Sequence, residues 1–220
     1  MNQTVKQLME ERRSARRFQT DYEIADDDLD QIIEAIRMSP ASYGALNTRV
    51  VVMKKGPFKD SLNKIFYNQD NFTQASAYII FVNDKAKIIC DETMPYTTSL
   101  IFKDDLAKRE AFLKNFYNVW NTRFGSPQTI GLAEEWSMKQ SYIALGVGIV
   151  AAASLNIDSC PHEGLDKLAL ENVLQQHGLI TKNQQVAVGL ALGKIDETIA
   201  NSRVKEKIRM PIANFRIDVI

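Results

Sequence analysis

Apolar positions along the chain follow two rhythms. The first is helical: Leu29, Ile32, Ile33, Ile36 and Met38 recur at the spacing of one helix face. Asp26, Asp27 and Asp28 open that stripe, where carboxylates complement the positive end of the helix dipole, and Pro40 stops it. Shorter helical patterns cover Val5–Glu11 and residues 58–66, and a charged one covers 106–120. Residues 133–155 are longer and more apolar, with small side chains at Ala144, Gly146, Gly148, Ala151, Ala152 and Ala153. Small residues let another backbone approach, which predicts a buried central helix, either inside a monomer or at a subunit interface. The second rhythm is the unbroken β-branched or apolar run at 49–53, 78–82 and 185–193, with a further strand-like stretch at 155–158. Strands so far apart cannot form tight hairpins. They predict an α/β or α+β sandwich, its central mixed sheet covered on its faces by helices. The alternation in Phe215-Arg216-Ile217-Asp218-Val219-Ile220 predicts an extended arm that pairs with a sheet edge.

Composition narrows the function. The 220 residues suit one domain, 1–220, with no linker or repeat to divide it. Lys plus Arg balances Asp plus Glu at 27 each, so nucleic acid is not the expected partner. No apolar run is long enough to span a membrane, and the polar start has no signal-peptide core, so a cytoplasmic protein is expected. Two cysteines, Cys90 and Cys160, exclude a disulfide scaffold and disfavour structural zinc, and no metal site is expected. Gly-rich phosphate loops, a nucleophile elbow and the H-E-x-x-H pattern are all missing. Chemistry in such a chain belongs to a bound cofactor, with the protein supplying position and electrostatics.

Against zero net charge, two cationic clusters stand out. Arg12-Arg13-Ser14-Ala15-Arg16-Arg17-Phe18 is one, and Lys205-Glu206-Lys207-Ile208-Arg209-Met210-Pro211 is the other. In extended chain Arg12, Ser14 and Arg16 share one side, as do Lys207 and Arg209. Converging, they could grip a phosphate monoester and leave a cation for another anionic group; apart, they are two solvated basic stretches. Cys160-Pro161-His162-Glu163-Gly164 joins a strand to a helix, a turn that can present backbone N–H groups to an electron-rich ligand or serve as a plain connection.

In this order, these pieces resemble the nitroreductase family of FMN-dependent oxidoreductases. The R-x-S-x-[RK]-x-F opening is Arg12 to Phe18, and a serine turn follows at Ser39-Pro40-Ala41-Ser42. Asn68 stands shortly before the next strand, Pro161-His162-Glu163-Gly164 matches a P-x-E-G turn, and Lys207-Ile208-Arg209-Met210-Pro211 matches a [KR]-x-R-x-P motif. The resemblance implies an α+β sandwich that dimerises, with FMN held at the subunit interface and NAD(P)H as co-substrate. It implies that Arg12, Arg13, Ser14, Lys207 and Arg209 hold the phosphate end. Arg16 then lies by the flavin N1/O2 edge, Asn68 and Asn71 by the pyrimidine side, and Pro161, Glu163 and Gly164 near N5. Ser42 would come from the other subunit. Arg16, Glu163 and Gly164 are the implied catalytic set.

Departures from the family pattern fall at Gly44, where an Asn is common, and at Asn71, where a cation is common. They touch the substrate mouth and the pyrimidine side. Residues 96–131 correspond to a variable excursion over the active site, whose Phe116, Tyr117, Trp120 and Phe124 form either a lid or ordinary helix packing. The expected function is hydride transfer from NAD(P)H through flavin N5 to a small electron-poor acceptor, a nitroaromatic, a quinone or similar. The alternative is an FMN-binding storage or sensor protein of the same fold.

Overall fold

The strand β2 (Ala77–Asp84) is buried along its whole length, and the rest of the chain is arranged around it. The structure is a computed structural model that describes residues 4–126, 128–203 and 206–219. Around β2 lie β1 (Thr48–Lys54), β3 (Asp158–His162) and β4 (Gln184–Gly193), in the spatial order β1-β2-β4-β3. The helices are α1 (Val5–Glu11), α2 (Asp26–Arg37), α3 (Pro57–Ser61), α4 (Asp70–Thr73), α5 (Ala86–Ile88), α6 (Met94–Phe102), α7 (Leu106–Phe124), α8 (Ile130–Ser154), α9 (Lys167–Gln176) and α10 (Ile212–Phe215).

Alternation along β2 separates two cores. Tyr78, Ile80 and Val82 pack with Phe66, Phe72, Leu170 and Leu174 on one face. Ala77, Ile79 and Phe81 pack with Leu29, Ile32, Ile36 and Ala144 on the other. The result is the expected sandwich, with α2 and α8 on one side and α4 and α9 on the other.

The four-stranded sheet, expected to be mixed, is antiparallel in all three of its ladders among the described residues. The reason is the placement of β4. The long return through α8 makes β3 run the same way as β2, but β4 inserts between them and opposes both. Parallel pairing survives only in the isolated bridge of Ser14 with Ser159. That bridge matters for the site, because it stitches the N-terminal segment onto the edge of β3.

The helix α8 has its inward residues at Ala133, Ser137, Gln140, Ser141, Ala144, Gly148 and Ala152, the spacing of one face. A Cβ on Gly148 would lie 2.9 Å from Ile36, so glycine sets the approach of α2. The opposite face, with Tyr142, Ile143 and Gly146, is exposed. Buried Phe116, Trp120 and Phe124 of α7 form a third cluster with Ile89 and Met94, so these three aromatics serve as packing. The expected excursion over 96–131 also takes in Pro127, which lies outside the described residues.

Two further expectations are corrected. Residues 58–66 are not one regular helix. α3 ends at Ser61, and the chain tightens into three-residue turns that finish in a left-handed pair, Tyr67 and Asn68, at φ 53° and 52°. The tighter winding keeps Lys59, Leu62 and Phe66 all facing inward. The C-terminal stretch forms α10 and then runs extended without pairing to the sheet among the described residues; Ile220 lies outside them. It leaves Ile208, Met210, Ile212, Phe215, Ile217 and Val219 exposed, Val219 at 97%.

Candidate functional site

The N-terminal segment 14–18 is held in place by hydrogen bonds from its backbone. Ala15 N–H donates to the Ser159 carbonyl (3.2 Å), and Arg16 and Arg17 N–H both donate to the Ser202 carbonyl (2.6 and 3.1 Å). Phe18 N–H donates to Gln74 Oε1 (3.0 Å). Ala15 and Phe18 are buried, and this anchoring turns Ser14 and Arg16 outward.

The two cationic clusters meet. Arg12, Arg13, Ser14, Lys207 and Arg209 line one cavity of about 280 Å³, with Glu206 as the carboxylate on its wall. Arg12 Nη2 donates to Ser14 Oγ (3.1 Å). Lys207 Nζ donates to the Glu10 carbonyl (3.2 Å) and to that of Met9, at the C-terminal end of α1. Burial holds the Arg12 guanidinium below its ordinary pKa, with repulsion from Arg209 and Arg13 adding to it and Cys160 and Asp158 opposing. Lys207 is lowered likewise, first by burial and then by Arg13, Arg12 and Arg209. Mutual repulsion among these cations would be relieved by a bound anion, so the lining of the cavity suits a phosphate.

Not every predicted residue points there. Arg13 Nη1 spends its hydrogen bonds on the carbonyls of Glu10 (2.6 Å), Glu11 (2.7 Å) and Arg12 (3.1 Å), capping α1. Arg17 pairs with Asp70 (2.9 Å). Arg16 makes no side-chain hydrogen bond or ion pair among the described residues, and its charge reaches His162. Lys205 lies outside the described residues.

The Pro161–Gly164 turn lies at the end of β3. Gln69 Nε2 donates to the Gly164 carbonyl (2.6 Å), which ties the turn to the 68–71 segment. Tyr142 donates a short hydrogen bond to Glu163 Oε1, and burial together with that bond pushes the Tyr142 pKa up to about 12. Neither the Glu163 nor the Gly164 amide N–H has an acceptor among the described residues. Asn68 is exposed. Asn71 is buried, its Nδ2 3.4 Å from Cys160 Sγ, and its Oδ1 has no partner. His162 Nε2 is also buried without a partner. The cationic lining of the cavity fits the phosphate of FMN, and the open amides of Glu163 and Gly164 fit acceptor atoms of a polar ring.

Ser42 stands apart from this cluster. Its N–H donates to Gln140 Oε1 (2.9 Å), beside an apolar cavity of about 640 Å³ walled by Ile33, Ile36, Leu46 and Gln140. Sequence reasoning singles out the Cys160–Gly164 segment but not Gln69 and Tyr78, which hydrogen-bond to it. Cys160 and His162 are two apart on β3 and so share a face, a signal present in the sequence.

Fold and site together define an α+β sandwich that carries a cationic cavity and a polar strand-to-helix turn. The model of the nitroreductase family matches residues 9–194, and the chain belongs to that family. It is 31% identical over 181 residues to a Staphylococcus saprophyticus protein provisionally named an NAD(P)H nitroreductase, covering 82% of each chain. The crystal structure of Bacillus subtilis YdfN, provisionally named a nitroreductase, superposes with a TM-score of 0.80 at 20% identity, over 97% of this chain and 98% of that one. An Exiguobacterium sibiricum structure solved in complex with FMN superposes at 0.74 and 17% identity, over 99% and 98%. No helix among the described residues is long and apolar enough to cross a membrane.

Proposed function

We propose that this protein is an FMN-dependent NAD(P)H oxidoreductase that passes electrons to a small electron-poor acceptor, a nitroaromatic or a quinone, in alternating half-reactions. The carrying observation is the convergence of Arg12, Ser14, Lys207 and Arg209, from opposite ends of the sequence, on one cavity. Bound flavin supplies reversible hydride acceptance at N5. Arg12, Lys207 and Arg209 hold its phosphate as charge-assisted donors. The Glu163 and Gly164 amides are available to acceptor atoms of the ring, and Arg16 offers a positive charge where reduction adds negative charge. Asn68 and the open Oδ1 of Asn71 serve the pyrimidine side.

A homodimer completes the reading. The exposed apolar residues of 208–219, the open face of α8 and the apolar cavity beside Ser42 are surfaces a second copy would cover. Ser42 then reaches the partner's cofactor, which accounts for its distance from the cationic cavity in one chain.

The test is a spectrum followed by a cycle. Purified or FMN-reconstituted protein should show flavin absorbance, bleach anaerobically with NADH or NADPH, and recover it on adding nitrofurazone or menadione. Failure to bind FMN overturns the proposal. Binding without reduction by either nicotinamide leaves the storage or sensor reading in its place.

A further inference from the structure

The turn that follows β3 is tied down by its carbonyls and leaves its donors open. Glu163 and Gly164 are both exposed, and neither amide N–H has an acceptor among the described residues. Their carbonyls are both taken. Leu165 N–H donates to the Glu163 carbonyl (2.8 Å), which closes a three-residue turn around Gly164. Gln69 Nε2 donates to the Gly164 carbonyl (2.6 Å).

Gln69 is held for that contact. Its backbone carbonyl accepts from Phe72 and Thr73 N–H (2.9 and 3.0 Å) at the start of α4, and its side chain takes no part in capping that helix. Its Nε2 also lies 3.3 Å from the Phe66 carbonyl. The amide nitrogen thus faces two acceptors, whereas a flipped amide would set its oxygen against both. Gly164 keeps the approach clear, since a Cβ there would fall 2.7 Å from Nε2. Asp166 N–H donates to the Ile65 carbonyl (2.9 Å), so the far side of the turn is tied to the same segment.

These bonds stand in series. One peptide unit joins the Gly164 carbonyl to the Leu165 N–H, and the one before it joins the Glu163 carbonyl to the Gly164 N–H. A donor on the Gly164 carbonyl polarises the first unit. Its N–H then pulls harder on the Glu163 carbonyl, which polarises the second. The Gly164 N–H, at the open end of the series, becomes the stronger donor.

We infer that Gln69 is a positioning residue for the flavin, which acts through two peptide units to fix and strengthen the Gly164 N–H as a donor to an acceptor atom of the ring. This rests on the FMN reading above. Reduction adds electron density to the acceptor atoms of the ring, so a stronger donor favours the reduced form and raises the midpoint potential. Gln69 does this without adding a charge beside Arg16.

Two measurements test it. The pair Glu-Gly occurs once in the sequence, so labelling glutamate carbonyls and glycine nitrogens with magnetic isotopes selects the Gly164 amide alone. In the FMN-loaded, full-length protein, its proton signal should move to lower frequency in Gln69→Met and in Gln69→Leu, which lack the donor. In spectroelectrochemical titration, both variants should weaken the preference for reduced over oxidised FMN about threefold, which is about 14 mV for a two-electron couple. A purely structural role would weaken binding of both redox forms alike and leave the potential where it was. A Gly164 signal unmoved in both variants, or a potential unchanged in both, overturns the inference and leaves the FMN reading intact. Parent protein that takes up no FMN overturns both.

Discussion

Arg16 holds a charge that no ion pair among the described residues neutralises. Asp21 and Glu23, close in sequence, make no ion pair with it among the described residues, whereas its neighbour Arg17 is paired with Asp70. A cation placed at the flavin edge stabilises the reduced ring more than the oxidised one, which is the condition for raising a rate. Arg16→Gln is therefore expected to retain FMN but slow its reduction by NAD(P)H by about 10- to 1000-fold in stopped-flow, the range for losing one electrostatic donor. A rate within twofold of the parent would contradict this role. Arg12→Ala and the double variant Lys207→Ala/Arg209→Ala should act on affinity instead. Each should weaken FMN binding to apoprotein by about 10- to 150-fold, or about 1.5–3 kcal/mol, in a fluorescence titration. These cations were legible in the sequence because they concentrate in a chain of zero net charge. The contact between Tyr78 and His162 was not. Tyr78 reads as one more apolar strand residue, and only the register that sets His162 against Gly189 brings its hydroxyl to the imidazole.

The helix α3 shows where pattern alone stops at the level of elements. Residues 58–66 keep their inward spacing while the winding changes, so periodicity cannot separate a regular helix from the tighter turns that follow Ser61. Nor does it reveal that Lys59 is 1% exposed, because lysine is rarely buried. Its Nζ donates to the Thr73 carbonyl (3.0 Å) and stands 4.7 Å over the Phe72 ring. Burial lowers its pKa from 10.5 to about 8. Below that value both folded and unfolded chains carry the proton. Between about 8 and 10.5 the unfolded chain binds more, so this group makes stability rise with pH across that window. Lys59→Met should lose the rise, so urea unfolding at pH 7 and pH 10 should show a smaller gain than in the parent; an equal gain would count against a buried, charge-penalised lysine. Three strands and the long helix were legible, since each is an apolar run or a full amphipathic stripe; the strand-like stretch at 155–158 instead ends where β3 begins, because Asp158–His162 carries no apolar run. Strand direction was not, because it depends on β4 entering between β2 and β3, a choice of partner no local segment encodes.

For the molecule as a whole, the exposed apolar arm and the open face of α8 predict a homodimer. Sedimentation equilibrium of the holoprotein at low micromolar concentration should give twice the chain mass of 24.9 kDa. A stable monomer that still binds FMN would refute it. The convergence of the two cationic clusters has a consequence for biogenesis as well. Lys207 reaches the Glu10 carbonyl across 197 positions of chain. On the proposed function, a nascent polypeptide emerging at about 5–20 residues per second would have no complete phosphate cradle until residue 209 has been made. Cofactor capture belongs after synthesis, and the scaffold must close around an empty, self-repelling cluster before it can be filled. Once in place, the phosphate bridges segments from both ends of that span and acts as a removable staple, opposing the entropy gained when so long a loop comes apart. Flavin supply would then set how many finished molecules keep residues 206–209 fastened down.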